Sequence, residues 1–430
     1  MGTTRKLCAF LAAVALSLST AACSGDTGKE AKEKEPQATE NTEKTEDLQR
    51  ADADLVIWCD NDRAPIIKKY AEAFAKERGL KAAVQVSGDV RQQFETASKV
   101  GKGPDVIIGA HDWLGGLVQN GMVKPLSVSA DLVNKFSETA IEGVKYEGKI
   151  YGLPYAVENI ALIRNKALAP DAPKTIDDML AQGKNLKDKG AADRVLIQEV
   201  SKSGNAYYTY PYLSGYGGGI FAVNNGQFDA SKVIVDSPES KKGAELLAKL
   251  GKEGVLSTNI SGDNSNALFA EGRTPFFISG PWAVESAKKA GIDYGISPLP
   301  AVPGGNAMQP FVGVQMFYVS SHAANPGVAE EFLLETLPNE ELQVELYDVG
   351  HRAPALKSAL EKVAKNDKDI TAWFEAGKDA LPMPNIPAMN AVWGPLGQAE
   401  ADVISGAAEP GPRFDAAADE IRKAIEESAK

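Results

Sequence analysis

The chain has 430 residues, a formal net charge of -12 and 43% hydrophobic residues. That balance excludes a protein that grips nucleic acid through a basic face, since no Lys/Arg patch offsets the acidity. Three histidines and three cysteines, none at metal-ligand spacing, give no expectation of a metal or cofactor.

Arg5 and Lys6 precede an apolar run from Leu7 to Leu18, broken only by Ser17. Small residues then lead to Cys23. This order predicts a secretory signal over 1–22. The run is shorter than the ~20 residues of a membrane span. Cys23 at the cut site resembles the lipidated cysteine of a bacterial lipobox, although Thr20 stands where leucine is usual. Ordinary cleavage beside an incidental cysteine is the alternative. From Cys23 to Asp52 the chain is polar, with Leu48 its one large apolar residue. It cannot bury enough surface to offset ordering entropy, which predicts a disordered tether over 23–52. The expected location is the outer face of the cell membrane, held by lipid. Cys59 alone remains in the body and reads as a small buried hydrophobe.

The body alternates strand and helix. Leu55-Val56-Ile57-Trp58-Cys59 reads as a strand buried on both faces. Ile66, Ile67, Tyr70 and Phe74 follow at helical spacing, and Gly79 ends that helix. A second strand over Ala83–Val86, a helix carrying Val90 and Phe94, and a third strand over Asp105–Ile108 complete a βαβαβ unit. That order predicts a parallel, doubly wound sheet. Later apolar stretches lie at Ala161–Ile163, Val195–Ile197, Phe276–Ile278 and Gln315–Val319. A helix is expected over Ser240–Lys252, and another through Phe414 and Ile425. Roughly 370 residues after the tether exceed one ordinary core, so two lobes are expected.

Ligands of open α/β sheets collect at the carboxyl ends of strands. Asp60, Asn61, Asp62 and Arg63 follow the first strand, and His111, Asp112 and Trp113 follow the third. Glu158-Asn159, Asn205 with Tyr207, Tyr208 and Tyr210, Trp282 and Trp393 lie farther on. Trp113, Trp282 and Trp393 sit in loop or helix-start contexts, where core and ligand roles are about equally open. Trp58 and Trp373 fit core positions. Aromatic faces beside carboxylates suit a pyranose, which has apolar C–H faces and a rim of hydroxyls.

Longer segments make the match specific: Gly103-Pro104-Asp105-Val106-Ile107-Ile108, Tyr151-Gly152-Leu153-Pro154-Tyr155-Ala156-Val157-Glu158, Ser279-Gly280-Pro281-Trp282-Ala283, and Met383-Pro384-Asn385-Ile386-Pro387 with Met389 and Trp393. From Leu55 to the C-terminus the chain resembles the maltose/maltodextrin-binding proteins of sugar ABC transporters. The resemblance implies a bilobed α/β fold of the periplasmic-binding-protein type II, with a hinge and a ligand cleft. It implies lobes over 53–157 plus 316–362 and over 158–315 plus 363–430, crossing near 157–160, 311–316 and 360–370. It implies a monomer that delivers maltose or maltodextrin to a permease and performs no chemistry. By resemblance Asp62, Arg63, Asp112 and Glu158 bond hydroxyls, while Tyr207, Trp282 and Trp393 form an aromatic platform with Tyr208 beside them. Gly109 stands where relatives carry tryptophan, Trp113 where they carry arginine, Asn205 for a glutamate, and Gly394 and Gly397 for a tyrosine and an arginine. Other sugars such as cyclodextrin or trehalose, a glycosidase, an iron binder using Tyr207-Tyr208, and a surface adhesin are the competing readings.

Overall fold

The computed structural model describes residues 48–224 and 227–428. The signal segment, Cys23 and the tether up to residue 47 lie outside them. Ten numbered strands, together with the short Leu381–Pro382, build two principal sheets. In chain order they are β1 (Leu55–Cys59), β2 (Ala82–Val86), β3 (Val106–Ala110), β4 (Gly152–Glu158), β5 (Ala161–Asn165), β6 (Leu196–Gln198), β7 (Phe276–Ser279), β8 (Tyr294–Ser297), β9 (Phe311–Val319) and β10 (Ala353–Pro354).

The larger sheet runs β10-β4-β9-β3-β1-β2, and Leu381–Pro382 also pairs with β9. Its first three strands are parallel, as the βαβαβ order predicts. β9 then enters antiparallel to both β3 and β4. The smaller sheet runs β8-β5-β7-β6. Here the expectation of a parallel sheet fails: β5 lies antiparallel to β7 and β8, and only β6 and β7 are parallel. Strand periodicity reports burial and carries no information on direction, which the connections decide. The small sheet is covered on both faces. Leu162, Leu196 and Ile278 face one core, while Ile163, Ile197 and Phe277 face another that includes Trp373. The large sheet has a core of its own, gathered around β1, β3, β4 and β9.

Helices form where the spacing places them. Ala64–Glu77 starts with Pro65 in its first turn and buries Ile67, Ala71, Phe74 and Ala75 on one stripe. Pro238–Lys252 is capped by the Ser237 hydroxyl, which accepts from the Ser240 N–H at 3.1 Å. Trp58 and Cys59 are fully buried, and burial pushes the Cys59 thiol up to about 12. Among the described residues no helix is long and apolar enough to cross a membrane.

The expected tether stops short of Asp52. Leu48 packs on the large-sheet core, and the Arg50 guanidinium lies 2.8 Å from the carboxylate of Asp105. Asp105 is fully buried at the start of β3. It also accepts from the backbone N–H groups of Val56, Ala324 and Asn325 at 2.8, 2.8 and 3.2 Å. One carboxylate therefore ties the incoming chain, β1 and the helix that follows Asn325. Composition could not show this, because a polar segment becomes ordered when a buried charge needs its cation. Asp105→Ala is expected to cost about 3 kcal/mol or more in urea unfolding, since four donors lose their acceptor. Arg50→Ala, which leaves the three N–H bonds intact, is expected to cost less.

Candidate functional site

The carboxyl ends of β1, β3, β4 and β7 converge where the two sheets face each other. Two cavities lie there. One, of about 330 Å³, is lined by Ala110, Asp112 and Glu158 from the large-sheet side and by Gly204–Tyr207, Met383 and Trp393 opposite. The other, of about 690 Å³, lies between Asp62, Asp348 and Val349 on one side and Trp282 and Glu285 on the other. Tyr207 and Trp282, in ring contact at 6.5 Å, link the two linings.

After β3 the chain winds into a short 3-10 turn, His111–Trp113. His111 fixes that turn. Its Nδ1 accepts from the Val314 N–H at 3.0 Å, so Nε2 carries the proton that goes to the Met383 carbonyl, also at 3.0 Å. Complete burial drives its pKa down to about 4, and the ring stays neutral. Asp112 is consequently held at the cavity wall, where its carboxylate accepts from the Trp393 indole N–H at 3.0 Å across the cleft. Burial raises Asp112 to about 6, opposed by Arg91 and by the Trp393 bond.

Trp113 takes a different place from the other tryptophans. It lines neither cavity. Its ring lies over Gly109, where an added Cβ would come within 1.9 Å of it, and it stacks on Tyr318 at 6.4 Å. Gly109 and Trp113 are thus one packing unit, and an aromatic residue at 109 would need this same space. Trp282 is seated alike. Gly280 and Pro281 turn the chain after β7, and the ring folds back over Gly280.

Tyr207 and Tyr208 begin the helix Ala206–Ser214. Pro211 lacks the N–H that would bond the Tyr207 carbonyl, so the first turn is held from outside instead. Gln198 donates to the Tyr208 carbonyl at 3.1 Å and accepts from Tyr212 at 2.7 Å. Thr209 donates to the buried carboxyl of Glu400. Gly204, at φ 76, lets the preceding loop touch Gly397, whose carbonyl oxygen would lie 1.7 Å from any added Cβ. Asn205 lines the cavity and donates to Glu199 at 2.7 Å. Tyr208 lies behind, edge-on to Tyr207 and Trp282, and supports the platform without lining it.

Asp62 is exposed and lines the larger cavity. Arg63 is buried beside Asp60, with Nη2 at 3.0 Å from its carboxylate, and sits 5.3 Å from the Tyr155 ring. Glu158 lines the smaller cavity and is held at both oxygens: Gln315 donates to one at 2.8 Å and Arg352 to the other. Arg352 and Gln315 escaped the sequence reading. Arg352 follows a helix end rather than a predicted strand, and Gln315 lies inside an apolar run, where a lone amide is the only sign. Several buried polar atoms have no partner: Arg63 Nε, Tyr155 Oη, Tyr207 Oη and Ser279 Oγ. Among the described residues no cluster of His, Cys, Asp and Glu could hold a metal ion.

Glu400, fully buried with Thr209 as its donor, is pushed by burial from 4.5 up to about 8. Folding therefore favours its protonated form. Its contribution to stability is complete below about 4.5 and is lost as pH rises through about 8. Glu400→Gln is expected to flatten this loss, so that thermal unfolding at pH 8.5 occurs at higher temperature in the variant relative to wild type than it does at pH 4.5.

Comparison with known proteins gives the wider setting. The bacterial extracellular solute-binding proteins match residues 69–375. A galactooligosaccharide-binding protein of Bacillus subtilis is 32% identical over 98% of this chain and 97% of its own length. A maltotriose-binding protein of Pyrococcus abyssi is 28% identical over 81% of this chain and 77% of its own. A maltooligosaccharide ABC transporter solute-binding lipoprotein of Streptococcus pneumoniae is 29% identical over 82% and 84%. With a two-lobed α/β body and a cleft between its sheets, this chain belongs to the bacterial extracellular solute-binding proteins.

Proposed function

We propose that the chain captures an oligosaccharide of the maltodextrin type outside the cell, delivers it to the permease of an ABC transporter and performs no chemistry on it. The observation that carries this is the Tyr207–Trp282 aromatic pair at the cavity linings, with buried polar atoms without partners at Tyr207 itself and, away from the linings, at Arg63 and Tyr155. Each such atom costs about 1–3 kcal/mol when unmet. A polyhydroxyl ring with apolar faces satisfies the polar atoms and covers the aromatics together. The names of the relatives support the same class. A galactooligosaccharide is the second reading, favoured by the relative aligned over 98% of the chain.

The lobes are taken as 53–157 plus 316–362 and 158–315 plus 363–430, moving about the crossings near 157–160, 311–316 and 360–370. Ligand favours closure because it touches both lobes only when the cleft is shut. Two rivals fit the geometry less well. Burial pushes the Tyr207 and Tyr208 phenols upward, against the ionisation that ferric ligation needs. Glu158 is ion-paired with Arg352, which favours its carboxylate over the protonated form that a glycosidase acid needs.

Calorimetry with maltose, longer maltodextrins, cyclodextrin, trehalose and β-galactooligosaccharides tests the reading; silence with every sugar would sink it. In the same assay Trp282→Ala is expected to weaken binding by about 1 kcal/mol or more. Its stability should fall by less than the ~3–5 kcal/mol of a core tryptophan. An unchanged affinity would remove Trp282 from the site.

The membrane anchor is proposed at Cys23, after a signal over 1–22. Cys23→Ala is expected to move the protein from the membrane fraction to the medium. Unaltered partitioning would refute lipid attachment.

A further inference from the structure

The structure assigns to Arg352 the contact with the sugar that its neighbour Glu158 was expected to make, and to Glu158 the task of aiming Arg352. This rests on the sugar reading above and names a further binding residue within it. Arg352 Nε donates to Glu158, and Arg352 forms no other hydrogen bond among the described residues. A guanidinium carries five N–H donors, so its two Nη amines are uncommitted. Its side chain is only 14% exposed, and its central carbon lies 5.1 Å from the centre of the Trp282 ring. The cation thus lies over the Trp282 ring, so that a pyranose packed at that ring would meet the guanidinium. Each Glu158 oxygen already accepts one bond, from Gln315 and from Arg352, which fixes the carboxylate and leaves one lone pair apiece.

The backbone fixes this arrangement. His351 closes the helix Glu340–Gly350 in the left-handed region, at φ 51, and its Nε2 lies 3.2 Å from Glu285 of the opposite lobe. Ala353 and Pro354 then pair with β4 beside Val157 and Ala156, one residue from Glu158. Arg352 is held between a bonded turn and a strand. Charge indicates the class of ligand. Arg63 has Asp60 and Arg352 has Glu158, so each guanidinium is already neutralised. Donors without net positive charge suit a neutral sugar rather than a uronic acid or a sugar phosphate.

A double-mutant cycle on sugar affinity tests the assignment, using R352M, E158Q and both together, with calorimetric stoichiometry reporting the folded fraction. R352M is expected to weaken binding at least about tenfold. E158Q is expected to weaken it similarly in the wild-type background and less than about twofold in R352M, because Glu158 acts through Arg352. R352K keeps the charge without the planar fork and is expected to fall between; it carries the comparison with E158Q if R352M does not fold. Wild-type affinity in R352M or in R352K, an equal E158Q penalty in both backgrounds, or tighter binding of a uronic-acid oligosaccharide than of its neutral counterpart would each overturn the assignment. Wild-type protein that binds no oligosaccharide would instead overturn the sugar reading, and this one with it.

Discussion

The cleft depends on one strand that belongs to two cores. Phe311 at the start of β9 packs in the core of the small-sheet lobe, while Val314 and Met316 to Val319 pack in the core of the large sheet. Where the strand leaves one for the other, its pairing with β4 slips between Gln315 and Met316. Gln315 lies at that slip and bonds Glu158, the last residue of β4. Irregular pairing re-aims side chains, and here it aims an amide at the cleft floor. Gly313, opposite Glu158, leaves the carboxylate room; an added Cβ would lie 3.1 Å from Glu158 Cγ. The polar floor and the passage between lobes are therefore products of the same few residues.

Around that floor the aromatic groups are placed by rigid local devices rather than by long loops. Trp113 and Trp282 each end a 3-10 turn or lie within one, folded over a glycine. Trp393 opens the helix Trp393–Ser405 and hands its N–H to Asp112. Tyr207 stands on a helix clamped by Gln198 and Glu400. A site on elements whose own rotamers are locked loses little ordering entropy when ligand arrives.

The sequence made the first lobe readable because its strands are continuous apolar runs separated by amphipathic helices. Asp112, Tyr207, Trp282 and Trp393 were legible as site candidates from their positions at strand ends and helix starts, and the structure brings them to one cleft. Strand direction in the small sheet was not legible, since Ala161–Ile163 and Phe276–Ile278 look alike whichever way they run. Trp113 shows a second limit: composition counts an aromatic near a cleft but cannot say that Gly109 and Tyr318 have claimed its faces. Arg352 shows a third. Its role depends on Glu158, 194 residues earlier, and on a left-handed turn at His351 that no local pattern announces.

These placements define what a ligand can contribute to closure. It shifts the lobes only through contacts that differ between open and shut states. Cross-cleft bonds such as Asp112–Trp393 and His351–Glu285 join the two sides through the protein's own groups. They bias closure for every solute alike and so confer no selectivity. On the proposed sugar reading, selectivity comes from groups that the protein leaves unmet, such as Tyr207 Oη at the cavity lining. A hydroxyl that meets one removes a standing penalty, whereas a ligand of similar shape without that hydroxyl leaves it in place. On that reading, recognition in this cleft works by satisfying polar groups that the protein does not pair itself. Their pattern, more than the area of the aromatic platform, then decides which sugar is held.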